Sequence, residues 1–275
     1  MLHIFSKYFK KYIFLIIILI VLFIGLHNDL DVTHYVYSND EIPSDFNGYK
    51  IVQISDYHCK LLHGSNNKLI SAIKSYKPDL IVITGDMIDS EHPDISAVES
   101  LLKGISKIAP IYAVSGNHEF DIAAPYDQLL KLYRTYNVIN LDDSKVVITK
   151  GESHITLYGL SADKMDVIYN PEALPETESG IFNILLYHYT NHFDYFTDNR
   201  FSLILTGHTH GGIIRIPFVG GLIGNNGTFF PTYDSGRFDH SQTTMISSRG
   251  IGDASLPRFF NHSELVCITL QSTDN

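Results

Sequence analysis

Two histidines one residue apart, His208 and His210, stand in the stretch Ile204 to Gly212, ILTGHTHGG, where an apolar run ends between glycines. Neutral imidazole is the commonest metal ligand among side chains, so this HxH is either a polar surface turn or part of a metal site. The same ending recurs along the chain. Asp56 and His58 follow IVQIS (51–55), and Asp86 follows LIVIT (80–84) and a glycine. Asn117 and His118 follow IYAVS (111–115) and a glycine, and His188 follows ILLY (184–187). In extended backbone, residues i and i+2 point the same way, which would aim Asp56 with His58, and His208 with His210, each at one centre. Glycines 85, 116 and 207 immediately precede polar groups, where a missing Cβ lets the chain turn sharply and bring a side chain into a cleft. DxH and GD are weak signals alone, GNHE and GHTHGG stronger ones. Their convergence at the ends of expected strands points to a metal site.

The elements that must position these groups follow from hydrophobic periodicity. From Lys50 onward, short apolar runs (51–55, 80–84, 111–115) alternate with helical patterns over 68–76, 95–108 and 126–136, the signature of βαβ units with buried strands. Lys77-Pro78-Asp79 and Pro110 stand where helices should stop. VVITK (146–150) and ITLYGL (155–160) form an expected hairpin. ILLYH (184–188), LILTG (203–207), TTMISS and ELVCITL add strands, and the glycine-rich GGLIGNNG (220–227) is expected as a loop. The fold class is α/β: layered mixed β-sheets sandwiched by helices, with ligands bound beyond the carboxyl ends of the strands.

Composition narrows the partners. The chain has 275 residues, 44% hydrophobic and 18% charged, with a net charge of −10. That is enough for a real core, and it argues against a nucleic-acid-binding or anionic-lipid-binding surface, since both partners are recruited by basic patches. Two cysteines exclude a disulfide framework. At the N-terminus, Lys7, Lys10 and Lys11 precede fifteen uninterrupted apolar residues, YIFLIIILIVLFIGL (12–26). Leu26 to Asp40 offers no small-residue cleavage site. The expected organisation is a basic flank (1–11), a transmembrane signal-anchor (12–26), a polar tether (27–47) and a catalytic domain (48–275). Positive charge on the N-terminal side alone places the domain on the extracytoplasmic face of the cell membrane, as a single-pass protein.

Asp56-Tyr-His58, Gly85-Asp86-Met-Ile-Asp89, GNHE (116–119), His188 and Gly207-His208-Thr-His210 resemble the motif series of the calcineurin-like metallophosphoesterases. The ending SSRGIGDASLPRFFNHSELVCITL is similar to that of their membrane-tethered bacterial phosphodiesterase branch. The resemblance implies one metal held by Asp56, His58 and His210, another by Asn117, His188 and His208, and Asp86 bridging both. Oxygen and nitrogen donors without thiolate suit Mn²⁺, Fe or Zn²⁺. The implied activity is that of a metal-dependent phosphoric ester hydrolase, most simply a phosphodiesterase, in which a metal-bridging hydroxide attacks phosphorus. His118 would act as general acid, with Asp89 orienting its ring; Asp89 as a helix cap or solvated loop carboxylate is the competing reading. Two other functions stay open: hydrolysis of a phospholipid or lipid-linked pyrophosphate, and a non-catalytic, metal-stabilised binding scaffold. The chain departs from the branch at Tyr57, at Ile213, and at Tyr187 and Tyr189 beside His188, which leaves substrate specificity open. His63, His92, His154, His192, His240 and His262 are expected as surface residues, and Arg249 and Arg258 as salt-bridge partners.

Overall fold

A computed structural model describes every residue except 1, 92–93, 164–173, 198–200, 226, 253–256 and 274–275. His92 therefore lies outside the described residues. In chain order the elements are α1 (Leu2–Leu26), β1 (Leu30–Asn39), β2 (Lys50–Ile54), α2 (Asn67–Tyr76), β3 (Leu80–Thr84), α3 (Ser96–Ile105), β4 (Ile111–Val114), α4 (Asn117–Asp121), α5 (Ala123–Thr135) and β5 (Val138–Asn140). They continue with β6 (Ser144–Lys150), β7 (Ser153–Gly159), β8 (Asn183–Leu186), β9 (Leu203–Thr206), β10 (Ile214–Ile216), β11 (Gly220–Ile223), β12 (Gly236–His240), β13 (Thr243–Ser247) and β14 (Ser263–Ser272).

Two six-stranded mixed sheets form the body, in the orders β1-β14-β2-β3-β4-β5 and β12-β13-β9-β8-β7-β6. Strands β2 to β5 run parallel to one another, while β14 is antiparallel to β2 and parallel to β1. Period-two alternation explains why the central strands are largely apolar: both faces are covered. On β2 and β3, Ile51, Leu80 and Val82 enter the core between the sheets with Leu157, Ile184, Leu186 and Leu205. Their neighbours Val52, Ile54, Ile81 and Ile83 pack instead against Leu69 and Ile73 of α2, Leu101 and Leu102 of α3, and Leu129 of α5. The outer face of the second sheet carries an aromatic cluster around Tyr187, Phe193, Phe196 and Phe201.

Three expectations change. Residues 27–47 are not a free tether, because Leu30–Asn39 form β1, which pairs with β14 along all ten residues. Its exposed, alternating residues and nearby acidic groups resemble a polar linker in sequence, but only one face of an edge strand needs burial. The segment GGLIGNNG is not all loop either, since Gly220–Ile223 form β11, paired antiparallel with β10. The apolar helix is also longer than 12–26: α1 begins at Leu2, about 37 Å at 1.5 Å per residue. Its stretch Phe9–Leu26 is long and apolar enough to cross a membrane.

Candidate metal centre

Asp56, His58, Asp86, Asn117, His118, His188, His208 and His210 all stand beyond the carboxyl ends of β2, β3, β4, β8 and β9, in loops except for Asn117 and His118, which open α4, and the fold brings them together. Three overlapping groups have ligand atoms within 4.8 Å of one another: Asp56, His58 and His210; His58, Asp86 and His118; and Asp86, His188 and His208. Asp86 links the last two, with Oδ2 3.1 Å from His188 Nε2 and 3.7 Å from His58 Nε2. Asn117 Oδ1 lies 3.1 Å from the same His188 nitrogen, and His208 Nδ1 lies 3.2 Å from it.

The route to this convergence differs from the expected extended-strand parity. Asp56 (φ 49°), His58 (φ 49°), Asp86 (φ 52°), His208 (φ 72°) and His210 (φ 52°) all have left-handed backbone, a conformation that costs of order 1–3 kcal/mol per non-glycine residue. The loops hold each other in it. The Asp56 amide donates to Gly85 O at 3.0 Å, the His58 amide to Asp86 O at 3.0 Å, and the Cys59 amide to Met87 O at 3.1 Å. The Asp56 carboxylate accepts the His208 amide at 2.9 Å, tying the two sheets' loops together. Below them, Gln53 Nε2 of β2 donates to Thr84 Oγ1 at 3.0 Å and to Thr206 O of β9 at 2.8 Å. Close approach requires glycine here. A Cβ on Gly207 would sit 1.9 Å from Ser55 Oγ, and one on Gly116 would sit 2.2 Å from Asp86 Oδ1.

The donor set fits divalent cations. Burial, reinforced by His118, pushes His58 down to about 4, and burial with His188 nearby pushes His208 down to about 3. Burial also lowers His210 well below the usual histidine range, helped by His58 and Arg258. These rings are therefore neutral and carry free lone pairs. Burial opposes charge on His188 too, but the carboxylates of Asp86 and Asp56 and the Thr84 carbonyl hold it up to about 10; a bound cation would displace the proton from Nε2. His188 Nδ1 lies 2.8 Å from Thr84 O, which fixes that nitrogen as the donor and turns Nε2 inward.

Other residues shape the site in ways that the sequence did not reveal. Glu119, the last residue of GNHE, is buried and accepts four backbone amides: Asp86 at 2.9 Å, Met87 at 2.8 Å, Ile88 at 3.2 Å and Gly116 at 2.7 Å. Burial and the Asp86 charge raise its carboxyl to about 7. Arg258 is buried, donating to the carbonyls of His210, Arg249, Gly250 and Gly252. Asn261 Nδ2 holds His210 O at 2.7 Å and Gly212 O at 2.6 Å. Arg258 was expected as a salt-bridge partner, and its bonds to these carbonyls were not legible in sequence; the one signal for Asn261 was its place in the ending that resembles the tethered branch.

His118 and Asp89 are less intimate than the sequence suggested. Asp89 Oδ1 is 3.8 Å from His118 Nδ1, and its 2.9 Å bond is to the Glu91 amide. His118 Nδ1 instead accepts the Ser90 amide at 3.1 Å and contacts Ser90 Oγ at 3.0 Å. His192 is not a surface residue: it is buried, with Nδ1 3.0 Å from Tyr187 Oη and its ring 5.3 Å from that of Tyr189. Arg249 makes the expected ion pairs, 3.0 Å to Asp31 and 3.2 Å to Glu264.

Residues 49–212 match the family model described as calcineurin-like phosphoesterase. The chain is 32% identical over 264 residues to the metallophosphoesterase YkuE of Bacillus subtilis (strain 168), covering 89% of this chain and 87% of YkuE. It is 28% identical over 146 residues to the phosphodiesterase YaeI of Escherichia coli (strain K12), covering 52% of this chain and 53% of YaeI. A transmembrane protein with a metallophosphoesterase domain from Danio rerio is 25% identical over 251 residues, with 84% of this chain and 55% of that protein covered.

Proposed function

Since the chain belongs to the calcineurin-like phosphoesterase family, and is thereby a metal-dependent phosphoric ester hydrolase, we propose that it is a membrane-anchored phosphodiesterase with two divalent cations. The observation that carries this reading is the overlap of the three ligand groups at Asp86 and His58. Asp56, His58 and His210 would hold one cation and Asn117, His188 and His208 the other, with Asp86 between them. When bound, the cations supply Lewis acidity toward the phosphoryl group and toward water.

The protein's own part is orientation and proton supply. His188 is held by Thr84 O, and the loops of His208 and His210 are held by Asp56, Asn261 and Arg258. His118 stands with its ring 4.6 Å from that of His58, edge-on, and is partly open to solvent. With Nδ1 taking the Ser90 amide, the ring proton lies on Nε2, free to meet a leaving alkoxide. To act as the acid the ring must first be an imidazolium, whose Nδ1–H would give up the Ser90 amide and donate to Ser90 Oγ or the Asp89 carboxylate. The domain division follows: α1 as the anchor, β1 onward as the catalytic body, on the extracytoplasmic side because the lysines precede the apolar span.

The test is hydrolysis of bis(p-nitrophenyl) phosphate with Mn²⁺ by the full chain and by its Asp86→Ala variant, with metal content measured on both. Loss of metal and activity together in the variant supports the assignment. A metal-loaded wild-type protein inert toward every diester would refute it.

A further inference from the structure

The anchor joins the domain at the metal edge of the first sheet. Because β14 runs antiparallel to β2, with Val266 opposite Gln53, the start of β14 lies level with the loop that carries Asp56. Leu30, the start of β1, pairs with Ser263 at that same end. Only His27 to Asp29 separate α1 from β1, and these are pinned: the Ser263 amide donates to Asn28 Oδ1 at 2.8 Å, and Asn28 Nδ2 donates to Ser263 Oγ at 3.2 Å. The Phe260 amide donates to Gly25 O at 2.7 Å, and a Cβ on Gly25 would come within 2.4 Å of the Phe259 ring. There is no slack with which the domain could leave the plane where α1 ends.

An apolar surface stands beside this junction. Phe259 bridges to Ile214 of β10, and its amide and carbonyl bond Ile213 O and the Arg215 amide, each at 3.0 Å. The β10–β11 turn carries Phe218, fully exposed, and Val219. Phe229 bridges to Ile223, and the Phe230 amide donates to Leu222 O at 3.0 Å. Val219, Phe229 and Phe230 are all more than three-fifths exposed, and Ile216 is exposed too. Large apolar groups gathered in this way on a protein surface mark a contact with another apolar phase. The same hairpin is tied to the metal loop, since Arg215 Nη1 donates to Gly211 O at 2.7 Å and Asn225 Nδ2 to His208 O at 2.7 Å.

We infer that Ile216, Phe218, Val219, Phe229 and Phe230 enter the bilayer that α1 spans, as a second membrane contact that holds the metal centre at the depth of the lipid headgroups. The apolar span Phe9–Leu26 puts that bilayer at the α1–Phe259 junction. The net charge of −10 argues against electrostatic recruitment as the driving force, so insertion is hydrophobic, as for an interfacial element about 5–10 Å deep. Resting on the phosphodiesterase reading, the substrate class is then an amphiphilic phosphoester whose phosphate lies in the headgroup layer; the membrane contact itself does not depend on that reading.

The chain contains no tryptophan, so a single introduced one reports its own surroundings. Full-length Phe218→Trp and Phe229→Trp proteins are reconstituted in phosphatidylcholine vesicles with and without bromine on the acyl chains. Ile139→Trp, on exposed β5 at the sheet edge opposite β1, is the control. Quenching several-fold above the control at both positions is expected; quenching equal to the control overturns the contact. Emission that responds to protein concentration in detergent, but not to bromolipid, assigns the patch to a second copy and also overturns it. In a Phe218→Ser/Phe229→Ser protein, hydrolysis of a fluorogenic phosphatidyl ester in vesicles should fall by about tenfold, with soluble bis(p-nitrophenyl) phosphate turned over as before. Equal effects on the two substrates overturn the substrate class. If the wild-type chain hydrolyses neither, the phosphodiesterase reading fails and the quenching alone decides the membrane contact.

Discussion

His118 lies within the ligand-atom spacing of His58 and Asp86, so its role as acid has to be separated from a role as ligand. Replacing it with alanine should lower kcat on an alkyl phosphodiester by about 10²–10⁴, and much less on a p-nitrophenyl ester, whose leaving group departs without a proton. Metal content should not change. Equal losses on both esters, or a lost cation, would make His118 a ligand. Asp89→Asn should follow the same leaving-group pattern more weakly, because its carboxylate stands 3.8 Å from the ring; an effect as large as that of His118→Ala would mean the two act as a tight pair. His192 behaves differently, since burial alone pushes it down to about 4 from the ordinary 6.5. The unfolded chain therefore binds a proton that the folded chain refuses between these values, and stability falls as pH drops through that window. Urea midpoints at about pH 7.5 and pH 5 should differ less for His192→Phe than for wild type; an unchanged difference would clear His192 of the effect.

At the scale of elements, the site depends on loops that fasten one another. Glu119 takes amides from the loop after β3 and from the turn before α4, so it joins two strands' ends through one carboxylate. Glu119→Ala would leave several buried amides unpaired and should cost about 3 kcal/mol in urea denaturation of the metal-free protein. Glu119→Gln, which keeps acceptors on one side, should cost less, and the reverse order would dismiss the role. Most of this scale was legible. Strands β2, β3, β4, β8 and β9 announced themselves because strands covered on both faces must be largely apolar, and the ligands were visible because each follows such a run. Left-handed backbone at Asp56 or His210 was not legible, since tertiary hydrogen bonds impose it and no glycine marks it. Strand β1 was obscured because an edge strand buries one face only, and His192 because a histidine in a loop carries no sign of the tyrosines that cover it.

At the scale of the whole molecule, α1 and the first sheet are tied together rather than strung on a free linker. Removing residues 1–26 should leave a folded domain with a full complement of metal. Removing residues 1–40 takes β1 away as well, uncovers the edge of β14, and should lower the thermal midpoint by several degrees or cause aggregation. Equal melting of the two truncations, followed by circular dichroism, would show β1 to be dispensable.

Strand β14 also gives the fold an order in time. It lies between β1 and β2, so the two earliest strands of the first sheet have no route to each other until residues 263–272 arrive. As the chain is made, α1, Asp56, Asp86 and the histidines all emerge before β14 can join β1 to β2. The first sheet is thereby left in two pieces, β1 apart from β2 to β5, until residues 263–272 slot between them.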